Sequence, residues 1–158
     1  MFKETAIEKT PMKKDVVLFD LDGTIALVEH RFHFLEGKKK DWHAYFAACV
    51  DDPPNAPIIE VLRSLHQRGH EIWIVSGRSD EVREQTIAWL RQHDVPHHQL
   101  VIRSAGDKRP DDFLKRQWLV NGTLPRQRVL MVFDDRDKVV AMWRHAGLVC
   151  LQVAPGDF

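Results

Sequence analysis

The sequence predicts an α/β protein built on a doubly wound parallel sheet, with a small helical insertion. Three short apolar runs, rich in Val, Ile and aromatic residues, begin at Val16, Ile72 and Val129. Such runs are typical of strands that are buried on both faces, as strands of a parallel sheet are. Helical patterns separate the runs, and this alternation of strand and helix is typical of a doubly wound sheet.

Length and composition indicate one ordinary globular domain. The chain has 158 residues, 44% hydrophobic and 29% charged, which is close to the globular average and long enough to bury a sizeable core. Its 23 Lys and Arg residues balance 23 Asp and Glu residues. The chain therefore has no global field to attract nucleic acid, and any contact with a polyanion must come from local patches.

The cysteines and the N-terminal segment predict a cytoplasmic protein without a membrane partner. Cys49 and Cys150 are far apart and show no metal-ligand spacing, so we expect reduced thiols. Residues 1–14 are polar and contain no signal-peptide core, and no stretch is long enough to cross a bilayer.

The first strand is preceded by a predicted leader, residues 1–15, and followed by an insertion. The gap from Thr24 to Ile72 is much longer than a crossover between parallel strands requires. A predicted helix over about 57–68 fills the end of that gap, because Pro57 suits a first helical position and apolar residues follow at helical spacing. The insertion is therefore about residues 25–56 of a single domain, 16–158.

The insertion carries its own helix signal. Asp41 can cap a helix in which Trp42, Tyr45, Phe46 and Cys49 share one face, before the run Asp51-Asp52-Pro53-Pro54 breaks the pattern. We interpret this segment as a small helical cap over an active site. An ordinary helix packed on the main core is the alternative.

The second half continues the alternation. Ser79 is the predicted N-cap of a helix that reaches about Gln92. The remaining predictions are a strand over 99–102, a helix over 111–120, a strand over 128–133, a helix stopped by Gly147, and a last strand over 148–153.

The polar residues at three predicted strand ends should form one site. Ligands of open parallel sheets bind beyond the carboxyl ends of the strands. The residues that would meet there are Asp20, Asp22, Ser76, Arg78, Asp134, Asp135 and Arg136. Four Asp, one Ser and two Arg suit a divalent cation and a phosphate.

Two of these carboxylates can divide the chemistry of phosphate transfer. Asp20 and Asp22 would point to the same face of an extended strand, with the Thr24 hydroxyl close by. One carboxylate can attack phosphorus while the other donates a proton to the leaving oxygen. Asp134 and Asp135 complete an oxygen-rich site of the kind that Mg²⁺ prefers. The alternative is ordinary turn chemistry, for which Asp-Gly is common.

The segment Asp20-Leu-Asp-Gly-Thr24 resembles the DxDGT signature of the haloacid dehalogenase (HAD) phosphohydrolases. Ser76, Lys115 and the pair Asp134-Asp135 fall where the later motifs of that family should fall. The resemblance implies a Rossmann-like fold, with Asp20 as nucleophile and Asp22 as general acid/base. It further implies that Mg²⁺ is bound by Asp20, the Asp22 carbonyl, Asp134 and Asp135, and that the phosphate is bound by Thr24, Ser76, Gly77 and Lys115.

Four segments are similar to the phosphatase domain of phage-type polynucleotide kinase-phosphatase: residues 75–78, 109–115, 134–143 and 152–158. This resemblance implies removal of 3′-phosphates from DNA or RNA ends or from nucleotides, in the host cytoplasm if the chain is phage-encoded. No G-x-x-x-x-G-K-[ST] motif occurs, and the leader is too short for a kinase. A separate kinase or ligase is therefore a candidate partner.

Several side chains have two interpretations. Lys115 is a phosphate ligand by resemblance, but a lysine on a helix is often solvated, and Lys108 or Arg109 would then replace it. Arg78 and Arg136 suit phosphate recognition, although either could pair with an Asp for structural reasons.

The insertion itself offers two candidate contacts with nucleic acid. One is a basic lip, which would be solvated surface if it binds nothing: His30, Arg31, His33 and Lys38 to Lys40. The other is an aromatic group that could stack bases: Trp42, Tyr45 and Phe46. The helical spacing of these aromatics favours a place in the core of the cap instead.

Three functions compete at this point. The first is a Mg²⁺-dependent phosphomonoesterase that works through an aspartyl-phosphate and removes 3′-phosphates from nucleic-acid ends or nucleotides. The second is a small-molecule or mononucleotide phosphatase, which the balanced charge favours. The third is an inactive binding module in nucleic-acid repair, and four intact motif residues argue against it: Asp20, Asp22, Ser76 and Asp134.

Overall fold

A computed structural model describes residues 12–158, so the predicted leader is described only from Met12 onward. The fold is a five-stranded parallel sheet with strand order β3-β2-β1-β4-β5. The strands are β1 (Val16–Phe19), β2 (Glu71–Ser79), β3 (Gln99–Arg103), β4 (Val129–Asp134) and β5 (Cys150–Gln152). The predicted α/β class is confirmed, and the strand ends differ from the prediction by a few residues.

Helices connect the strands. The α-helices are α1 (Trp42–Ala47), α2 (Ala56–Gln67), α3 (Arg83–Gln92), α4 (Asp111–Val120) and α5 (Asp137–His145). Short 3₁₀ helices span Glu29–Leu35, Ala48–Asp51, Asp80–Val82 and Arg126–Arg128. Ser79 caps the 3₁₀ turn that leads into α3, since its hydroxyl accepts from the amide of Glu81 at 3.3 Å.

Strand β1 is the centre of the fold, and its four residues are fully buried. Alternate side chains of a strand face opposite sides of the sheet. Val17 and Phe19 belong to the apolar cluster that includes residues of α2 and α3, whereas Val16 and Leu18 belong to the cluster with residues of α4 and α5. Burial of each such side chain contributes about 1.5–3 kcal/mol, so helices on both faces hold the site-bearing strand rigidly.

The strand order brings the predicted site together. β1 lies between β2 and β4 and runs parallel to both, so the carboxyl ends of these three strands lie side by side. One detail differs from the prediction. Ser76, Gly77 and Arg78 lie inside β2 rather than after it, at an irregularity in its register with β3 between Ser76 and Ser79.

The insertion is helical but is not the single helix that the spacing predicts. α1 ends at Ala47, and Cys49 lies in the following 3₁₀ helix. Asp41 does cap α1, because its carboxylate accepts from the amide of Ala44 at 3.0 Å. The 3₁₀ helix Ala48–Asp51 contacts α3, and the indole of Trp89 donates to the carbonyl of Asp52 at 2.9 Å. These contacts fasten the insertion to the main domain.

Cys49 and Cys150 are both buried and form no disulfide with each other. Within residues 12–158, no helix combines the length and the apolar character that a membrane span needs.

Candidate active site

Three buried carboxylates meet beyond β1 and β4. Oxygen atoms of Asp20, Asp134 and Asp135 lie within 4.8 Å of one another. The ammonium of Lys115 on α4 bridges two of them, with its Nζ 2.7 Å from Oδ1 of Asp20 and 2.9 Å from Oδ2 of Asp134. The indole of Trp143 donates to the same Asp134 oxygen at 3.1 Å. This arrangement is a compact anionic site that one lysine only partly neutralises.

The neighbouring charges in this cluster shift the pKa values of its side chains. Burial raises the pKa of Asp20 well above its usual value, and the charges of Asp134 and Asp135 add to that rise against the pull of Lys115. Burial and the Asp134 charge raise the pKa of Asp135 to about 6. The neighbouring carboxylates raise the pKa of Lys115, although its burial acts in the other direction. The site therefore has a strong demand for positive charge.

The lysine is not on a solvated helix face. Lys115 is 2% exposed, so the alternative of a solvated residue is wrong for its position. Lys108 and Arg109, which could have replaced it, are exposed and line the mouth of the cleft described below.

Asp22 lies close to Asp20 in sequence but faces a different environment. Its Oδ1 accepts from the guanidinium of Arg31 at 3.0 Å and from that of Arg78. Burial acts to raise the pKa of Asp22, but Arg78 and Arg31 together lower it below its usual value. Two carboxylates separated by one residue are thus held in opposite electrostatic settings.

A fourth buried carboxylate anchors the two arginines. The side chain of Asp52 accepts from Nε and NH2 of Arg31, both at 2.8 Å, and from NH2 of Arg78 at 3.1 Å. Nε2 of His30 lies 2.7 Å from the same carboxylate. Arg78 also donates to the Thr86 hydroxyl at 3.0 Å. The structural pairing of Arg78 with Asp residues, which the sequence left open, is therefore present.

The predicted basic lip is wrong in one respect. Arg31 is fully buried on the inner side of the insertion, where it forms hydrogen bonds with Asp22 and Asp52. Lys38 to Lys40, in contrast, are exposed. Sequence reasoning placed Arg31 within a charge run and Asp52 at a helix break. Nothing in the local sequence marks either residue as buried, because their pairing joins positions that are far apart in the chain.

A further ion-pair group supports the β2 segment. Asp111, the first residue of α4, pairs with Arg103 and lies 3.2 Å from NH1 of Arg136. Arg103 donates to the carbonyl of Gly77 at 2.7 Å, and a side chain at Gly77 would collide with Asp111. Arg136 therefore has the structural pairing that the sequence left open. The role of Asp111 was not foreseen, since it was interpreted only as a helix start.

Two hydroxyl groups complete the floor of the site. Thr24 is buried, and its Oγ1 lies 3.3 Å from Oδ2 of Asp20. The Oγ of Ser76 is buried as well and accepts from the amide of Arg78 at 3.1 Å, which leaves its own proton free for another acceptor.

Most of the charged groups described above border one cleft of about 710 Å³, whereas Thr24, Arg31 and Asp52 lie behind its lining. Its floor includes Asp20, Asp22, Ser76, Lys115 and Asp134. One side is formed by the insertion, with Val28, Phe32, Leu35, Trp42, Tyr45 and Phe46, and the other by the loop after β3, with Arg103 and residues 106–110. The volume is typical of pockets that hold a ligand of nucleotide size.

Comparison with known families decides what this arrangement is. A family model described as the phosphatase domain of the polynucleotide kinase PNKP matches residues 14–158. The chain belongs to this family. It is a HAD-type phosphatase domain related to polynucleotide kinase-phosphatase, as the motifs predicted.

Sequence similarity to individual proteins supports the same family. A predicted bifunctional polynucleotide kinase/RNA ligase of Autographa californica nuclear polyhedrosis virus is 30% identical over 131 residues, which are 81% of this chain and 17% of the viral protein. A nucleotidase-like protein of Oceanobacillus iheyensis is 29% identical over 113 residues, 49% of this chain and 58% of that protein. The chain thus spans only part of the length of these relatives.

Solved structures show the same relationship. A chain of the Pnkp1/Rnl/Hen1 RNA repair complex is 29% identical with a TM-score of 0.79, and the match covers 97% of this HAD phosphatase domain and 48% of that chain. CbbY from Rhodobacter sphaeroides, solved with phosphate, has a TM-score of 0.59 at 16% identity. This second likeness shows the shared fold alone.

Proposed function

We propose that this domain is a Mg²⁺-dependent phosphomonoesterase that forms an aspartyl-phosphate on Asp20 and removes 3′-phosphates from nucleic-acid ends or nucleotides. One observation carries the proposal. Asp20 and Asp22 both follow β1 closely, yet Asp20 faces a carboxylate cluster with a lysine while Asp22 faces two arginines. Such a division suits a nucleophile and a separate proton carrier.

Asp20 is the proposed nucleophile. Its Oδ1 and Oδ2 are held by Lys115 and Thr24, respectively, so the carboxylate is oriented before substrate arrives. An oxygen of Asp20 forms a bond to phosphorus as the bond from phosphorus to the leaving oxygen breaks. Lys115 offers positive charge where the transferred phosphoryl group carries its negative charge.

Asp22 is the proposed general acid and base. In the first step it gives its proton to the leaving oxygen, and in the second it takes a proton from the water that attacks the aspartyl-phosphate and releases inorganic phosphate. The arginines keep Asp22 ionised in the free enzyme. A bound phosphate dianion competes for the same guanidinium groups, which weakens their hold and raises the pKa of Asp22 toward the range of an acid.

The donor set fits a hard divalent cation. Asp20, Asp134 and Asp135 offer three buried carboxylate oxygens, and the raised pKa values of Asp20 and Asp135 reflect a lack of positive charge there. We assign Mg²⁺ to these residues together with the backbone carbonyl of Asp22. When bound, the ion supplies charge that offsets the repulsion between an anionic nucleophile and a phosphate dianion.

The remaining phosphate contacts are proposed from position. Ser76 has a free hydroxyl proton, and Gly77 lies beside it in β2. Nε of Arg78 is buried and makes no hydrogen bond within residues 12–158, so one donor of this guanidinium is available. Arg136 lines the cleft further out, where it can meet a second anionic group. Together these donors can hold the phosphate oxygens.

The substrate class rests on the family and on the shape of the cleft. The relatives named above include a viral kinase/ligase and a chain of an RNA repair complex, which favours polynucleotide ends. A mononucleotide is the second candidate, favoured by the zero net charge of the chain and by the nucleotidase-like relative. Residues 16–158 form the proposed catalytic domain with 25–56 as its cap, and a kinase and a ligase that act on the same nucleic-acid ends are its candidate partners.

The test is phosphate release from matched oligonucleotides that carry either a 3′- or a 5′-phosphate. We expect turnover of the 3′-phosphate with Mg²⁺ and none with excess chelator. Asp20→Asn should abolish turnover because an amide cannot form the aspartyl-phosphate. Asp22→Asn should lower it by about 10²–10⁴-fold, the range of general acid/base catalysis.

Two results would contradict the proposal. Full activity in chelator would rule out the metal requirement. Equal small losses in both variants would rule out separate roles for the two carboxylates. A preference for 5′-phosphates would overturn the substrate class alone and leave the phosphatase chemistry intact.

A further inference from the structure

The insertion presents half-exposed aromatic rings to the cleft. Trp42 is 50% exposed and Phe32 is 41% exposed, and both line the cleft that contains Asp20 and Asp22. The sequence favoured a place in the cap core for the aromatics of α1. This holds for Tyr45, which is buried, but not for Trp42, whose ring the cap core leaves half uncovered.

The Trp42 ring is held in place before any ligand binds. It stacks on Phe46 at 6.0 Å between centroids with planes 30° apart, and it meets Tyr45 edge to face at 5.7 Å. The capping contact of Asp41 fixes the helix end from which Trp42 projects. A ring that is already ordered loses little conformational freedom when a second aromatic group stacks on it.

This aromatic wall lies on the side of the proposed general acid. The ring of Tyr45 packs against the guanidinium of Arg31, 4.5 Å from its centroid, and the same guanidinium donates to Asp22 at 3.0 Å. The leaving oxygen of the substrate must lie beside Asp22 to receive its proton. The leaving group therefore extends toward the insertion, where Trp42 and Phe32 border the cleft.

Two of the three basic side chains on the opposite wall are paired, and the third, Lys108, is exposed. Arg109 pairs with Asp107, and Arg103 pairs with Asp111. Paired ions attract a third charge only weakly, whereas stacking of a base on an aromatic side chain contributes about 1–3 kcal/mol. We therefore expect stacking to contribute more than charge to recognition of the leaving group.

From this geometry we infer that Trp42, with Phe32 beside it, is the stacking platform for the base of the 3′-terminal nucleoside. The inference rests on the proposed function and adds a specificity residue to it. The ligand recognised is the aromatic base itself, so a terminal sugar without a base should lose this contact while its 3′-phosphate still reaches Asp20.

The test compares two substrates and three variants. One substrate is a 3′-phosphorylated oligothymidylate, and the other is the same oligomer with an abasic last residue. Trp42→Ala should raise KM for the first substrate by about 5- to 150-fold, the equivalent of one stacked base, and leave KM for the abasic substrate unchanged. Trp42→Phe should retain most of the affinity, because it keeps an aromatic face. Val50→Ala is the matched control, since Val50 lies in the same insertion, is 48% exposed and does not line the cleft.

A binding measurement makes the same comparison without turnover. In an Asp20→Asn background, fluorescence anisotropy of a labelled oligonucleotide should show the same loss of binding for Trp42→Ala. An unchanged KM and Kd in Trp42→Ala, or equal losses on both substrates, would overturn the inference. If the wild-type protein releases phosphate from both substrates with equal KM, Trp42 does not stack on the base, and the proposed phosphatase activity is unaffected. If it releases phosphate from neither, the proposed function itself fails, and the inference fails with it.

Discussion

At the scale of single residues, the site places chemically identical side chains in different electrostatic surroundings. Burial and neighbouring carboxylates raise the pKa of Asp20, whereas Arg78 and Arg31 lower that of Asp22 against its burial. Asp52 makes the surroundings of Asp22 possible, because it holds both arginines beside Asp22 through hydrogen bonds of 2.8 to 3.1 Å. Asp52 is therefore a positioning residue, one contact removed from the chemistry.

The first prediction concerns Asp52. Burial raises the pKa of its carboxyl against the pull of Arg31 and His30, so the ion pairs themselves contribute little net stability. Asp52→Asn turns an amide toward buried arginine donors and leaves some of them unpaired, which should lower the free energy of unfolding by about 1–3 kcal/mol. We also expect kcat to fall more than KM rises, because Asp22 loses its orientation.

Urea denaturation and steady-state kinetics measure these effects. Asp51→Asn is the matched control, since Asp51 is adjacent but exposed, and its change should stay within about 0.5 kcal/mol. Asp52→Asn with the stability and kcat of the control would disprove the positioning role.

At the scale of elements, the turn after β1 sets the distance between two parts of the proposed metal site. Gly23 has a φ of +84°, a conformation that residues with a Cβ rarely adopt. It also lies directly against the carboxylate of Asp135, where a Cβ would collide with it. The glycine therefore allows the end of β1 and the end of β4 to approach closely enough to share one cation.

The second prediction separates these two roles of glycine. Gly122 has the same φ of +84° but open space around it, so Gly122→Ala should cost only the backbone strain of roughly 1–2 kcal/mol and keep full activity. Gly23→Ala has the same strain and also displaces Asp135. We expect a larger loss of stability and a higher Mg²⁺ requirement for turnover, measured by thermal melts and Mg²⁺ titration. Equal behaviour of the two variants would show that the contact with Asp135 is unimportant.

At the scale of the whole molecule, the sheet gathers negative charge in its interior although the chain as a whole is neutral. Asp20, Asp134 and Asp135 are all buried around one lysine. A carboxyl whose pKa is raised by folding contributes stability below the pKa of the unfolded state and loses it as pH rises through the folded value. For Asp135 this window runs from 3.8 to about 6, and Asp20 shifts in the same direction.

The third prediction is that Mg²⁺ stabilises the fold more at neutral than at acidic pH. As pH rises through about 6 the Asp135 carboxyl becomes charged and repels its anionic neighbours, and a cation that binds the cluster relieves this cost. Excess Mg²⁺ at 100 times its Kd should stabilise the protein by about 2.7 kcal/mol, which is a Tm rise of roughly 5–10 °C for a chain of this size. At about pH 5 the rise should be much smaller.

Differential scanning calorimetry with Mg²⁺ or with chelator measures the two shifts without any assay of turnover. Asp135→Asn should remove most of the difference between the two pH values. An equal Tm shift at both pH values, or no shift at either, would show that the cluster does not bind the ion.

Several features followed from local sequence alone. Short β-branched runs predicted the strands, and polar residues at their ends predicted which strands would border one site, because parallel strands present their carboxyl ends on one edge. The pattern of α4, from Asp111 to Val120, was sufficient to place that helix within its observed bounds. These features depend on propensity and periodicity, which short windows of sequence carry.

Tertiary structure decided the rest. Arg31 and Asp52 were interpreted as a surface charge and a helix break, yet they are buried partners of Asp22 and Arg78. Trp42 and Tyr45 share one helix face in sequence and both line the cleft, yet the first is half exposed and the second is buried. The sequence by itself determined the strands, the order of elements and the motif residues. Burial and pairing of charges were decided only by the folded chain, because they depend on which distant residues meet in a low-dielectric interior.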